Sequence, residues 1–205
     1  MNAILIQELF DNQTFDPRLR WYNPPQTWHI EHSCLVIAPD AKTDYWQKTH
    51  YGFVADNGHF LFAEVTGDIV MTTHVRFHPA NQYDQAGLMV RISSHCWLKT
   101  SVEYEPHEPN RLGAVVTNDG YSDWSTQDFP KDHHELLLRV RREKNDYFVE
   151  YAIPSLQSDH PWTQIRMAHL HEDDGKRPIE CGLYACSPKA TGYMAEFEFL
   201  KIEKK

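Results

Sequence analysis

The sequence predicts an all-β fold built as two antiparallel sheets packed face to face. Three observations point there. Apolar residues recur with a period of two, and no segment sustains a helical period. Turn-forming residues interrupt the apolar runs at intervals of about 8–12 residues. Aromatic residues, which suit half-buried pleated surfaces, make up 13% of the chain and so favour strands over helices. A chain with this pattern buries its apolar faces most simply by stacking one sheet on another.

The elements follow in order. Residues 60–65 form a short apolar run. In 69–77, Ile69, Met71, Val75 and Phe77 share one face, with His74 and Arg76 opposite. In 87–93, Leu88, Val90 and Ile92 fall together. In 97–104, Leu98, Val102 and Tyr104 oppose Trp97, Lys99 and Glu103. Residues 112–117 are another short run, and 136–142 alternate Leu136, Leu138 and Val140 with Leu137, Arg139 and Arg141. Runs at 147–153, 179–186 and 193–202 complete the series. Between them lie Asp56-Asn57-Gly58, Thr66-Gly67-Asp68, Asn118-Asp119-Gly120, Lys144-Asn145-Asp146 and Asp173-Asp174-Gly175. These residues tolerate positive φ or close Asx turns. A short helix is expected near residues 40–48. Pro-rich stretches at 23–25 and 106–109 read as loops too short to link domains. With no internal repeat, residues 1–205 are expected to form a single domain.

Composition bounds the function. With 41% hydrophobic and 24% charged residues, the 205-residue chain can bury an ordinary core without staples. A formal charge of -9, with no basic run, argues against nucleic acid or an anionic membrane as partner. No apolar stretch is long enough to span a bilayer. The first residues, from Met1 to Glu8, lack the basic start of a secretory signal. Cys34, Cys96, Cys181 and Cys186 show no Cys-x-x-Cys spacing and are expected to be reduced thiols in a cytoplasmic protein.

The richest stretch runs from Tyr83 to Tyr104. Residues i, i+2 and i+4 of a strand point the same way, so Trp97, Lys99, Ser101 and Glu103 share a side. Arg91 falls on that same outer face if Leu88, Val90, Leu98 and Val102 face the core. Arg139 and Arg141 are expected to join it. Arg91, Lys99 and Arg139 then supply donors, Glu103 an acceptor, and Trp97 and Trp124 stacking walls, with Asp84 and Gln85 at the rim. Such a set suits a polyhydroxylated or carboxylated small molecule. The plainer alternative is a solvent face of ordinary cross-strand ion pairs. On the first reading, removing Arg91 should abolish binding at little cost in stability.

Catalysis would centre on Glu103 and needs a second acid or base, with Glu105, Asp84 and Asp123 as candidates. Histidine pairs occur at His29 and His32, His133 and His134, and His169 and His171. Pairs fall short of the three or four converging ligands a metal needs, so neither a metal nor another cofactor is expected. No nucleophile elbow, P-loop or dinucleotide fingerprint is present.

Several motifs occur together in order. They are Thr43-Asp44-Tyr45-Trp46, Tyr51-Gly52-Phe53, Tyr83-Asp84-Gln85-Ala86-Gly87-Leu88-Met89-Val90-Arg91, Trp97-x-Lys99, Ser122-Asp123-Trp124-Ser125 and Gly182-Leu183-Tyr184-Ala185-Cys186-Ser187-Pro188. From about Trp21 to Ile202 the chain resembles the YesU-like family of uncharacterised proteins, a group that includes the yeast regulator-of-enolase protein. The resemblance implies a concanavalin A-like jelly-roll sandwich of two antiparallel sheets. That architecture is shared with lectins and glucanases, which often bind sugars on the concave face. The chain lacks a Glu-x-Asp-x-x-Glu strand, the acid pair of one glucanase group on this fold. Two further readings stand beside carbohydrate binding. One is a sugar-active enzyme of glycosidase or epimerase type. The other is a regulatory module that binds a protein partner through Trp21, Trp28 or Trp162.

Overall fold

A computed structural model describes residues 3–154 and 161–205. Its strands run in chain order as β1 (Ile4–Glu8), β2 (Arg20–Tyr22), β3 (Thr27–Glu31), β4 (Cys34–Ala38), β5 (Tyr45–Gln47) and β6 (Val54–Asp56). Next come β7 (His59–Val65), β8 (Ile69–His78), β9 (Gln85–Ser93), β10 (Cys96–Glu103), β11 (Asn110–Asn118) and β12 (Tyr121–Phe129). The last are β13 (Glu135–Glu143), β14 (Asp146–Ala152), β15 (Thr163–His169), β16 (Ile179–Cys186) and β17 (Met194–Lys204).

The strands build a jelly-roll sandwich. One sheet has the order β15-β14-β13-β8-β17-β4-β3, with β1 also on β17, and the other β12-β11-β10-β9-β16-β7-β2. The chain crosses between sheets after β1, β2, β7, β8, β12, β15 and β16, and after β4 by way of β5 and β6, so each sheet mixes distant segments. The inner faces carry the alternating residues that the sequence points inward. Leu88, Val90, Leu98 and Val102 from one sheet meet Met71, Val75, Leu138 and Val140 from the other, all buried. At about 25 cal/mol per Å² of apolar surface, this shared layer is the main stabilising term.

Turn chemistry sets the hairpins. Asp119 and Gly120 both have positive φ (53° and 73°), the pair a two-residue hairpin turn requires between β11 and β12. Between β13 and β14 Lys144 alone takes positive φ, 59°, the first central position of the other favoured two-residue turn.

No helix forms over residues 40–48. That segment pairs Ala41 with Ser187 in an isolated bridge and then enters β5. Lys42 and Lys48 take positive φ, which a helix forbids, and Tyr45 and Trp46 are buried against the seven-stranded sheet. Together β5 and β6 make a separate two-stranded ribbon over part of that sheet's outer face.

Candidate functional site

The register of the seven-stranded sheet fixes what its outer face, the one expected from the family resemblance to be concave, presents. Gln85, Glu103, Arg111 and Asp128 lie side by side across β9, β10, β11 and β12. The next row holds Gly87, Ser101, Gly113 and Thr126, and the one after it Met89, Lys99, Val115 and Trp124. A further row brings Glu180, Arg91, Trp97, Thr117 and Ser122 together.

The β5–β6 ribbon seals one end of this face. Trp97 is fully buried beneath it, with the Tyr45 ring edge-on at 6.1 Å. Arg91 donates to Asp56 at 3.1 Å and lies 3.4 Å from Glu180, while its guanidinium stacks on Tyr22 at 4.4 Å. Lys99, also buried, donates to Asp44 Oδ1 at 3.0 Å. These contacts correct two expectations. Arg91 is spent on Asp56 of the ribbon and Trp97 cannot serve as a stacking wall, while Lys99 is paired with Asp44 just before β5.

Arg139 and Arg141 are corrected more completely. They lie on β13 of the other sheet, where both donate to Glu150 Oε2, at 2.7 and 3.1 Å. Arg139 also stacks on Trp162 at 4.0 Å. Leu138 and Val140 do face the core, but that core is shared by two sheets, and facing it from opposite sides puts the arginines on opposite outer surfaces.

Asp84 braces a loop and does not line a site. Buried, it accepts the Ala80 and Asn81 amides at 2.9 and 2.7 Å. The loop holds Tyr83 at φ 73°, a conformation a bulky residue adopts only when its surroundings impose it. There the Tyr83 carbonyl accepts from Gln85 Nε2 at 3.2 Å. A carbonyl can only accept, which fixes the amide's orientation. Gln85 Oε1 then accepts from the Tyr184 hydroxyl at 3.1 Å, and Nε2 also donates to Glu103 Oε2 at 3.1 Å.

At this unsealed end lies a small hollow lined by Gln85, Lys99, Ser101, Glu103, Arg111, Gly113, Val115 and Trp124. Its floor is low because Ser101 sits between two glycines, Gly87 and Gly113. A Cβ on Gly113 would land on the Ser125 carbonyl oxygen, and one on Gly87 on that of Thr100. There is room for about one water-sized group, ~10 Å³. Arg111 is held by Glu108 at 2.6 Å and by Asp128.

Glu103 is the unusual member. Burial pushes its carboxyl up to about 8, and the nearby charges of Asp44 and Glu105 add to the rise while Lys99 opposes it. Lys99 acts only through space, since its ammonium is bonded to Asp44. Glu103 is therefore mostly a neutral acid at pH 7, able to donate as well as accept.

None of the proposed second acids faces it across the hollow. Asp84 is the brace already described, Glu105 accepts from Gln82 Nε2 at 2.8 Å, and exposed Asp123 pairs with Arg166 at 3.0 Å. His169 and His171 pair with Asp146 and Asp119, at 2.9 and 3.0 Å. Trp21 and Trp28 pack on each other and on the core, so they are not free anchors. Burial lifts the thiols of Cys96 and Cys181 to about 11 and about 12, which makes them poor nucleophiles.

Sequence reasoning missed Gly113, Val115 and Arg111 as lining residues, and Gly87 as the neighbour that keeps the floor low. Two glycines flanking one serine on adjacent strands is a signal only once the register is known.

Comparison with known proteins places the chain. Residues 21–205 match the model of DUF1349, described as a protein of unknown function. The chain belongs to this family. It is 33% identical over 177 residues to Regulation of enolase protein 1 of Saccharomyces cerevisiae, covering 86% of this chain and 85% of that protein. A crystal structure of a functionally unknown S. cerevisiae protein superposes with a TM-score of 0.81 at 31% identity, over 92% of this chain and 97% of that one. The relation to the yeast protein and to an uncharacterised family agrees with the sequence motifs. Lower similarity links the fold to larger proteins. A Bacteroides ovatus protein described as Xyloglucan PUL GH43B matches at a TM-score of 0.76 and 16% identity. A Bacillus halodurans xylan beta-1,4-xylosidase matches at 0.74 and 11%. In both cases 97% of this chain aligns with 39% of the other, and identities this low carry the fold alone.

Proposed function

We propose that the protein binds a small hydroxylated ligand, a sugar or sugar-like molecule, in the hollow at the open end of its concave face. The single observation that carries this reading is Glu103. It is a carboxylic acid kept neutral by burial, fixed by Gln85, and placed beside a half-buried indole over a low floor of one serine and its flanking glycines. A neutral acid, an amide, a hydroxyl and a guanidinium can each share hydrogen bonds with hydroxyl groups, and Trp124 offers an apolar face to a ring. The sandwich that this chain shares with parts of xylan- and xyloglucan-related proteins is consistent with such a ligand.

A thermal-shift screen of mono- and oligosaccharides tests the reading. A ligand at 100 times its dissociation constant adds about 2.7 kcal/mol of stability. Trp124→Ala and Glu103→Gln should each weaken the response, by about 1–2 kcal/mol of binding free energy for a lost aromatic or charge-tuned contact. A response unchanged in both variants would move the ligand elsewhere.

Hydrolysis is the less favoured use of the hollow. Glu103 is suited to donate a proton, but the candidate partner carboxylates are committed to other contacts. A regulatory contact with another protein is the second reading. The name of the yeast relative favours it, as do the exposed side chains of Tyr51, Phe53 and Val54 at the ribbon's tip. Recovery of one stoichiometric partner that is lost in a Tyr51→Ser/Phe53→Ser variant would support it.

A further inference from the structure

The shape and charge of the hollow narrow its ligand, given the binding reading above. The hollow is a dead end. Toward the middle of the sheet it meets the β5–β6 ribbon, whose Tyr45 covers Trp97 and Tyr184. Toward β16 the segment before β5 closes it, with Thr43 and Ser187 joined by two hydrogen bonds of 3.3 and 2.9 Å. Beyond Gln85 stands the braced Tyr83 loop, whose ring carries the Lys189 ammonium at 5.1 Å. Among the described residues, the β12 side, the edge of the sheet, is the one without such a wall. Trp124 lies on that side, and the cavity between the walls accepts one group and not a ring. A polymer lying across the concave face would collide with the ribbon.

The charges are also matched. Lys99 is neutralised by Asp44, and Arg111 by both Asp128 and Glu108. Glu105 adds a further carboxylate nearby, and the chain as a whole carries -9. Among the described residues no surplus cation faces the cavity to receive an anion, while a neutral acid stands ready for a hydroxyl.

We infer that the site takes the terminal unit of a neutral glycan, or a free neutral sugar, with one hydroxyl group inserted among Gln85, Ser101, Glu103 and Arg111 and the ring resting toward Trp124. It excludes internal units of a polymer and excludes uronic acids. This rests on the proposed sugar-binding function and adds to it the size and charge of what is bound.

The test uses the wild-type protein with glucose, galactose, mannose and xylose, their linear oligomers up to the hexasaccharide, and glucuronic and galacturonic acids. Affinities are measured at pH 7 by titration calorimetry. The expected result is binding by at least one neutral series, with affinity constant within about threefold from disaccharide to hexasaccharide, because units outside the hollow bury little. The matching uronic acid should bind at least about tenfold more weakly, since its carboxylate would be desolvated with no free cation to pair it. Affinity that keeps rising to the hexasaccharide, or a uronic acid that binds as well as its neutral parent, overturns this inference while leaving sugar binding intact. Silence across the whole panel overturns the sugar-binding reading itself, and this inference with it.

Discussion

The two ends of the concave face are built from the same strands and have opposite fates. At one end, Arg91 and Trp97 on β9 and β10 lie under the ribbon, and each cation there has an aspartate. At the other, Glu103 on β10 stays partly exposed beside buried Gln85 on β9, and the acid has no cation bonded to it. Both ends look polar in the sequence. The difference shows that a buried charge marks a site less by its presence than by the absence of its partner. The sealed end uses charge to hold a ribbon in place, whereas the open end keeps a carboxyl that has no bonded cation and therefore retains its proton.

Substitutions at each end can break or sharpen this contrast. The largest effect is expected at the floor of the hollow. Gly113→Ala drives a methyl group onto the Ser125 carbonyl, so β11 and β12 must separate. It should cost more than about 3 kcal/mol, above the usual range for overpacking because the obstacle is backbone, and urea unfolding measures it. A loss below about 1 kcal/mol would mean that the floor is not held as tightly as described. Arg91→Ala comes next. It strands Asp56 and Glu180 in partly buried positions and should cost about 3 kcal/mol, with sugar affinity unchanged. That outcome reverses the expectation from sequence, in which Arg91 was the binding donor. A variant of wild-type stability that has lost binding would restore it.

At the open end the effect depends on pH. In the unfolded chain Glu103 titrates near its ordinary value of 4.5, and in the folded protein near 8. The folded state therefore holds one more proton between these values. Stability is fully present below 4.5 and falls as pH rises toward 8. After allowance for the half-burial of the residue, the loss should be roughly 2 kcal/mol between pH 5 and pH 8. Glu103→Gln should abolish that slope and gain on the wild type at pH 8, which paired denaturation curves at the two pH values will show. The smallest effect is expected from Arg139→Ala on the opposite sheet. It removes half of a shared ion pair and a cation–π contact, and should cost less than about 1 kcal/mol with no change in binding.

Much of the fold was legible because its strands alternate cleanly. The runs in β7 to β11, β13, β14, β16 and β17 each place one apolar face on the core, and that periodicity survives in the sequence. Strands without such a face were not legible. In β12, Tyr-Ser-Asp-Trp-Ser-Thr-Gln-Asp-Phe covers an exposed edge and is mostly polar. In β5, three residues bury both faces, so no alternation exists to read. The shared face of Lys99, Ser101 and Glu103 followed from period two alone. Its neighbours did not, because Gly87 and Gly113 meet Ser101 only through strand register. The misplacement of Arg139 has the same origin: alternation tells which residues avoid the core but not which sheet they belong to.

The account stands or falls on the protonation state of one carboxyl group. Isotope-edited NMR of the Glu103 side-chain carboxyl carbon across pH 3–10, assigned with Glu103→Gln, reads it directly. A midpoint near 8 is predicted. A midpoint between about 4 and 5, the range of a solvated glutamate, would mean that water or an unseen cation already stabilises the charge, and the open end would then be no different from the sealed one.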